Sequence, residues 1–297
     1  MLVPTTSKAL TWGGPGKRDK DTSRSAATLL QENWDTTSWS LFEAVENGKS
    51  TVRPNTVDRA VEDGKALELR LGANPEPTPA GAAEVDSKKT FLYGTFTSRL
   101  RAADCSEQPG TGVVTGAFTY FNDGSDKDKD GLPDNSEIDF EFLCSQPNVI
   151  YLTIWTDYRA SDEAQRRVTR VIDLEAGKVL STCYLENFGD CRALSGAEAT
   201  PSTVPAVSGY SSSTAYHDYS FTWTSTGVIF WTETDGKKIT LWDYRGPRDR
   251  IPQRSAHYLL NVWHTATWPT LDDPGSVKSP TSAVSVYVDR SSVKTAS

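Results

Sequence analysis

Ser136-Glu137-Ile138-Asp139-Phe140-Glu141-Phe142-Leu143 alternates acidic and apolar residues without a break. That is the period of a β-strand, and it predicts Glu137, Asp139 and Glu141 on one face with Ile138, Phe140 and Phe142 entering a core on the other. Three like charges on one face repel, and each raises the proton affinity of the next. A strand that merely faces solvent has little reason to collect them, although acidic and apolar residues also alternate on ordinary half-buried strands. Glycoside hydrolysis does have a reason, because it needs one carboxylic acid to protonate the leaving oxygen and one carboxylate opposite it, with pKa values pushed apart. The Cα atoms of Glu137 and Glu141 are expected about 13 Å apart at roughly 3.3 Å per residue. Their carboxyl groups therefore meet only if both side chains lean inward over the shorter Asp139, to about 5 Å for a retaining enzyme. Asp139 beneath them can hold one glutamate ionised and the other protonated.

Outward from this strand the chain reads as short β segments separated by Gly, Pro or Asp clusters. Before it come Trp39 to Val45, Ala66 to Leu71, Tyr93 to Leu100 and Val113 to Phe121. After it come Val149 to Thr156, Arg167 to Leu174, Asp218 to Thr224, Gly227 to Thr232, Lys238 to Tyr244, His257 to Trp263 and Ala283 to Asp289. The proline-rich stretch at 73–81 cannot be a central strand, since proline donates no ladder hydrogen bond. The small, Ser- and Pro-rich stretch from Ala193 to Ser213 reads as a surface loop. No repeat of 20 to 50 residues is present, and no amphipathic helix exceeds two turns. The expectation is an all-β chain forming a two-sheet antiparallel β-sandwich. Residues 1–28, rich in Gly, Lys, Asp, Thr and Ser, read as a loosely held arm, and residues 29–297 as one catalytic domain.

A net charge of -8 argues against nucleic-acid phosphates or anionic membranes as partners, because either rewards a basic patch. A neutral polysaccharide suits the balance, as does a plain solvated surface. No run of about 18 apolar residues exists, so no membrane span is expected. Met1 to Gly16 lacks the basic-then-apolar order of a signal peptide; the expectation is nevertheless a secreted enzyme, its leader absent from this chain. The four cysteines lack paired CxxC spacing, which disfavours zinc. Two disulfides are expected instead: Cys183 with Cys191 across a short loop, and Cys105 with Cys144 at the end of the acidic strand. Four buried thiols are the alternative.

Asp126-Lys-Asp128-Lys-Asp130-Gly131-Leu-Pro-Asp134 sets oxygen ligands at alternate positions before a glycine, as in D-x-D-x-D-G calcium loops. Asp126, Asp128, Asp130 and Asp134 are thus candidate ligands for a structural Ca2+, and the chemistry itself requires no cofactor. Glu137 falls at the twelfth position of such a loop, but a nucleophile tied to calcium cannot attack a sugar. A solvated acidic loop is the competing reading.

The order of segments resembles glycoside hydrolase family 16 over roughly residues 90 to 290. The resemblance rests on Tyr93-Gly-Thr-Phe-Thr-Ser-Arg99, Thr111-Gly-Val-Val-Thr-Gly-Ala-Phe-Thr-Tyr120, Glu137-Ile-Asp-Phe-Glu141, Tyr216-His-Asp-Tyr-Ser-Phe-Thr-Trp223, Asn261-Val-Trp263 and Val286-Tyr-Val-Asp289. It implies a jelly roll with a concave substrate cleft and a retaining mechanism. Glu137 then matches the nucleophile, Glu141 the acid/base and Asp139 the assisting carboxylate. Trp263, Asn261, Arg99, Phe118 and Tyr120 fall at cleft-lining family positions. The strand after the acidic one, matched in alternation, brings Tyr151 and Trp155 to the cleft, and His217 is a further candidate for substrate. The acidic strand lacks the extra residue that gives laminarinase-type members a bulge. The expected activity is endo-hydrolysis of a β-1,3 or mixed β-1,3/1,4-glucan by a monomer. A glucan transglycosylase, a galactan-directed hydrolase and a non-catalytic lectin-like sandwich are the alternatives, the last disfavoured by the intact acidic set.

Overall fold

The computed structural model describes residues 26–36, 40–77, 82–187, 189–234, 236–268 and 277–296. The arm expected over 1–28 therefore lies outside the described residues as far as residue 25, and Thr28 already opens a strand. Residues 78–81 of the proline-rich loop and Trp39 lie outside them too.

One sheet holds eight strands: β1 (Thr28–Glu32), β3 (Thr51–Val57), β4 (Lys65–Leu71), β6 (Gly94–Arg101), β13 (His217–Thr224), β14 (Gly227–Thr234), β15 (Lys237–Tyr244) and β17 (Val284–Lys294). The other holds nine: β2 (Phe42–Glu46), β5 (Ala83–Ser87), β7 (Val113–Tyr120), β8 (Asp134–Leu143), β9 (Val149–Arg159), β10 (Ala164–Asp173), β11 (Lys178–Glu186), β12 (Arg192–Ala193) and β16 (His257–His264). The nine-stranded order is β12-β11-β10-β9-β8-β7-β16-β5-β2, so the acidic strand β8 occupies the middle. Neighbouring strands run antiparallel throughout. No helix among the described residues is long and apolar enough to cross a membrane.

The two sheets close on one core, and β8 shows how its sequence achieves that. Ile138, Phe140 and Phe142 are buried. Phe140 meets Tyr219 of β13 and Phe230 of β14 at ring-centroid distances of 5.5 and 5.4 Å, and Phe142 meets Tyr219 at 4.6 Å. Because alternate residues point to opposite faces, this apolar contact forces Glu137, Asp139 and Glu141 onto the outer face of the nine-stranded sheet. Between Glu137 and Glu141 the pairing with β9 is regular, and its only irregularity lies between Asp134 and Glu137. The absence of a bulge among the carboxylates is as the sequence implied.

Both expected disulfides form, Cys105 with Cys144 and Cys183 with Cys191. The first ties the loop after β6 to the end of β8, which pins the carboxylate strand at its C-terminal end. The stretch from Ala193 to Ser213 is less superficial than expected. Val204, Tyr210 and Ser212 are buried, and the Tyr210 hydroxyl lies 2.8 Å from that of Tyr219 beneath the core.

Candidate active site

On the outer face of the central strands, Asp139 keeps 2% of its surface and Asn261 4%. Residues on the open side of a sheet normally stay wet, so such low values mark a recess rather than a flat surface. At the level of Glu141 the register across the sheet reads Val171, Tyr151, Glu141, Gly116, Asn261, Glu84. One row over, Asp139 lies between Thr153 and Phe118, and in the next row Glu137 pairs with Trp155, which pairs with Arg167. The structure therefore brings Glu137, Asp139, Glu141, Trp155, Tyr151, Phe118 and Asn261 to one face, with Trp263 two residues along β16 from Asn261. Tyr120 ends β7 on the same face and is 38% exposed.

Each carboxylate sits in a different environment. Asn135 donates a hydrogen bond from its side-chain amide to Glu137 Oε2 at 2.8 Å, and the Trp155 indole N–H donates to Asp139 Oδ2 at 2.9 Å. Burial raises the Glu137 carboxyl to about 7, opposed by the Asn135 bond and by the Arg167 charge. Burial and then the Glu137 charge raise Glu141 to about 8, again opposed by Arg167. Asp139 is pushed well above the usual carboxylate range, by burial first and then by both glutamates, against the Trp155 bond and Arg167. The Asn135 bond favours the ionised form at Glu137, and Glu141 has no such donor among the described residues. Burial and mutual repulsion thus hold all three carboxyls above the ordinary carboxylate range.

Two of the expected site residues are elsewhere. Arg99 is on β6 in the opposite sheet, where it pairs with Asp218 at 2.9 Å and Asp289 at 3.2 Å. His217 opens β13 in that same sheet, its Nε2 3.2 Å from the Ser211 carbonyl and its ring against Tyr210. Neither lines the recess: a motif in the right order does not say which sheet its strand joins. Trp155 is in place but does not offer both faces to a sugar. The Arg167 guanidinium lies 4.4 Å from its ring centroid.

Two participants were missed. Glu84, on the short strand β5, accepts from the Asn261 amide at 2.9 Å, and burial together with the Asp86 charge raises its carboxyl to about 7. Trp268, in the loop after β16, packs edge-on against Tyr151 at 5.2 Å and against Trp263 at 6.3 Å. With Val114, Leu143 and Val171 these aromatics form an apolar bank beside Glu141. The Thr-Ala-Thr-Trp268 run after the Asn-Val-Trp strand was a usable signal for the second of them, and β5 offered little.

Gly116 stands directly across from Glu141. A Cβ built there meets Asn261 Oδ1 at 2.6 Å and the Phe118 ring at 3.2 Å. Gly116→Ala is expected to lower kcat/KM by about tenfold or more, since a misplacement of about 1 Å beside reacting groups has effects of that size. Its Tm should change by only a few degrees. Unchanged kinetics on the preferred substrate would show that this floor is not used.

Carboxylate oxygens of Asp126, Asp128 and Asp130 lie within 4.8 Å of one another, a donor set that suits a hard cation. Asp134 does not join them: it accepts from Arg254 Nη1 at 2.9 Å and from the Lys127 backbone N–H at 3.1 Å. Asp130 in addition pairs with Arg166. Glu137 points to Asn135 instead, so the twelfth loop position stays with the carboxylate set.

The described strands form a two-sheet antiparallel β-sandwich of jelly-roll type that carries three carboxyl groups on the outer face of one sheet. The resemblance to glycoside hydrolase family 16 is shown, as residues 46–175 match the family model "Glycosyl hydrolases family 16", a span that contains all three carboxylates. No curated protein matches the chain in sequence. Among solved structures, the catalytic domain of an endo-1,3-beta-glucanase (laminarinase) from Thermotoga petrophila RKU-1 is similar at 15% identity and TM-score 0.53, covering 91% of this chain and 97% of its own. The Bacillus licheniformis beta-glucanase is similar at 15% identity and TM-score 0.50, covering 91% and 99%. The apo Crh5 transglycosylase is similar at 16% identity and TM-score 0.52, covering 90% and 84%. At these identities the three comparisons speak for the fold.

Proposed function

We propose that the protein is a retaining endo-β-glucanase acting on internal bonds of a β-1,3 or mixed β-1,3/1,4-glucan. The observation that carries this reading is the carboxylate set. Three acids stand in unbroken register at the bottom of a recess, and the environments of Glu137 and Glu141 differ. Retention needs an ionised nucleophile and a protonated acid on either side of one glycosidic bond. Glu137, whose ionised form the Asn135 bond favours, takes the nucleophile's role. Glu141 protonates the leaving oxygen and then deprotonates the incoming water. Asp139, protonated between them and held by Trp155, supplies a hydrogen-bond donor to whichever glutamate carries charge. Tyr151, Trp263, Trp268, Phe118 and Tyr120 surround the carboxylates with aromatic surface suited to the apolar faces of sugar rings. The two disulfides support a protein that matures in an oxidising compartment, and thus secretion.

The test is a panel of purified polysaccharides: laminarin, mixed-linkage glucan, agarose and cellulose. New reducing ends, falling viscosity and the anomeric form of the first product are followed by NMR. The expected result is rapid loss of viscosity on one β-1,3-containing glucan and a β-configured first product. An α-configured first product would remove the retaining mechanism. Chain exchange without new reducing ends would instead assign a transglycosylase, and turnover of agarose alone a galactan-directed enzyme.

A further inference from the structure

Arg167 is a cation without an ion-pair partner among the described residues, placed beside three acids. It lies on β10, two strands from β8, in the row that runs from Arg167 through Trp155 to Glu137. Its guanidinium covers the Trp155 ring at 4.4 Å, and that indole donates its N–H to Asp139 at 2.9 Å. Its Nη1 is buried without a hydrogen-bond partner among the described residues. Burying a guanidinium is costly unless charge nearby compensates it. The neighbouring Arg166, which could have shared the load, is turned to Asp130, Asp157 and Glu186.

Among the described residues, the other titratable groups facing the carboxylate set from the adjoining strands are phenols, carboxyls and one imidazole. Tyr120 of β7 and Tyr158 of β9 sense the Glu137 charge, and burial keeps both phenols protonated. Beyond Asn261 lie Glu84 and Asp86 of β5, with His257 of β16 next to Asp86. Arg167 is the cation that opposes the proton affinity of all three carboxyls.

We propose that Arg167, stacked on Trp155, is a positioning residue of the carboxylate set: its charge balances the single ionised glutamate and so sets the pH at which the site becomes competent. It acts by two routes. Its field favours the carboxylate over the carboxylic acid, and a cation over the indole face polarises the indole N–H that holds Asp139. The proposal rests on the retaining-glycosidase reading of Glu137 and Glu141.

The experiment measures the acid limb of kcat/KM on an activated aryl β-glycoside of the sugar identified by the polysaccharide panel. Such a leaving group needs no proton, so the limb reports ionisation of the nucleophile in the free enzyme. Arg167→Met, which keeps an apolar stem over the indole, is expected to move the limb upward by about one pH unit, an approximately tenfold loss of kcat/KM below it. Arg167→Lys, which keeps the charge, should stay within about 0.3 pH unit of the wild type. Should the Met variant fail to fold, Arg167→Gln gives the same comparison. A folded neutral variant with a lower rate and an unmoved limb would overturn the proposal and leave Arg167 a packing residue. A parallel carboxyl 13C NMR titration of protein labelled at glutamate, assigned with Glu137→Gln, follows the same ionisation without any turnover. If the wild type cleaves nothing, the failure lies with the functional reading, and the NMR titration still decides the role of Arg167.

Discussion

Glu137→Ala is expected to reduce turnover of every substrate by about 10⁴-fold or more, because without its carboxylate no glycosyl-enzyme can form. Glu141→Ala should behave differently by leaving group. On the polysaccharide it should lose about 10² to 10⁴-fold, the usual contribution of a general acid. On an activated aryl glycoside the first step should survive and the intermediate should accumulate. Added azide, an anion that needs no general base, should then restore turnover of the Glu141 variant and yield a glycosyl azide of retained configuration. In the Glu137 variant azide enters from the vacated side and the product is inverted. Opposite stereochemistry would exchange the two roles. Full polysaccharide activity in both variants would remove catalysis from this strand altogether.

The second large effect is on stability. The folded-state proton affinities of Glu137 and Glu141 are raised to about 7 and 8, above their ordinary value of 4.5, and that of Glu84 to about 7. Between about pH 4.5 and pH 8 the folded protein therefore binds more protons than the unfolded chain. Stability must then fall as pH rises, since its slope follows the protons bound by the unfolded state minus those bound by the folded one. The contribution is fully present below about 4.5 and is lost as pH passes through 7 to 8. Glu141→Gln, which cannot ionise, should flatten part of this slope. At pH 8 it should be more stable than the wild type by about 2 kcal/mol, given that a tenfold change in proton affinity corresponds to about 1.4 kcal/mol and that the carboxyls share their effects. Urea titrations at pH 4.5, 6 and 8 measure it. A wild type that gains stability across this window would mean that the carboxyls are not held protonated by the fold.

What the sequence made legible follows from periodicity. Strand β8 was read correctly because its two faces differ so sharply in polarity that only one register buries Phe140 and Phe142. Strands β5 and β11 went unread for other reasons. Ala83-Glu-Val-Asp-Ser87 does alternate and buries Ala83, Val85 and Ser87, but it is short, its inner face is small and it follows a proline-rich loop; Lys178 to Glu186 groups its apolar residues in pairs and triplets without the alternation that marks a strand. Missing β5 meant missing Glu84, whose role depends on a partner 177 residues away in sequence. Alternation placed Arg99 on a strand and left His217 just before one, where it in fact opens β13, but it could not assign those strands to a sheet. Their ion pair and carbonyl contact belong to the far side of the sandwich. The stacking of Arg167 on Trp155 is a cross-strand event, and no local pattern announces it.

The glycine opposite Glu141 has a consequence for how such a protein can diversify. Loops around the recess can lengthen, shorten or change composition without touching the central strands, and each such change re-shapes what the recess admits. Position 116 has no comparable latitude, because even one added carbon runs into Asn261. A mutational library aimed at new polysaccharide preferences should therefore spend its diversity on the segment around Trp268 and leave the middle of β7 fixed. Among the variants recovered with altered preference, changes should be abundant at the rim and absent from that one position.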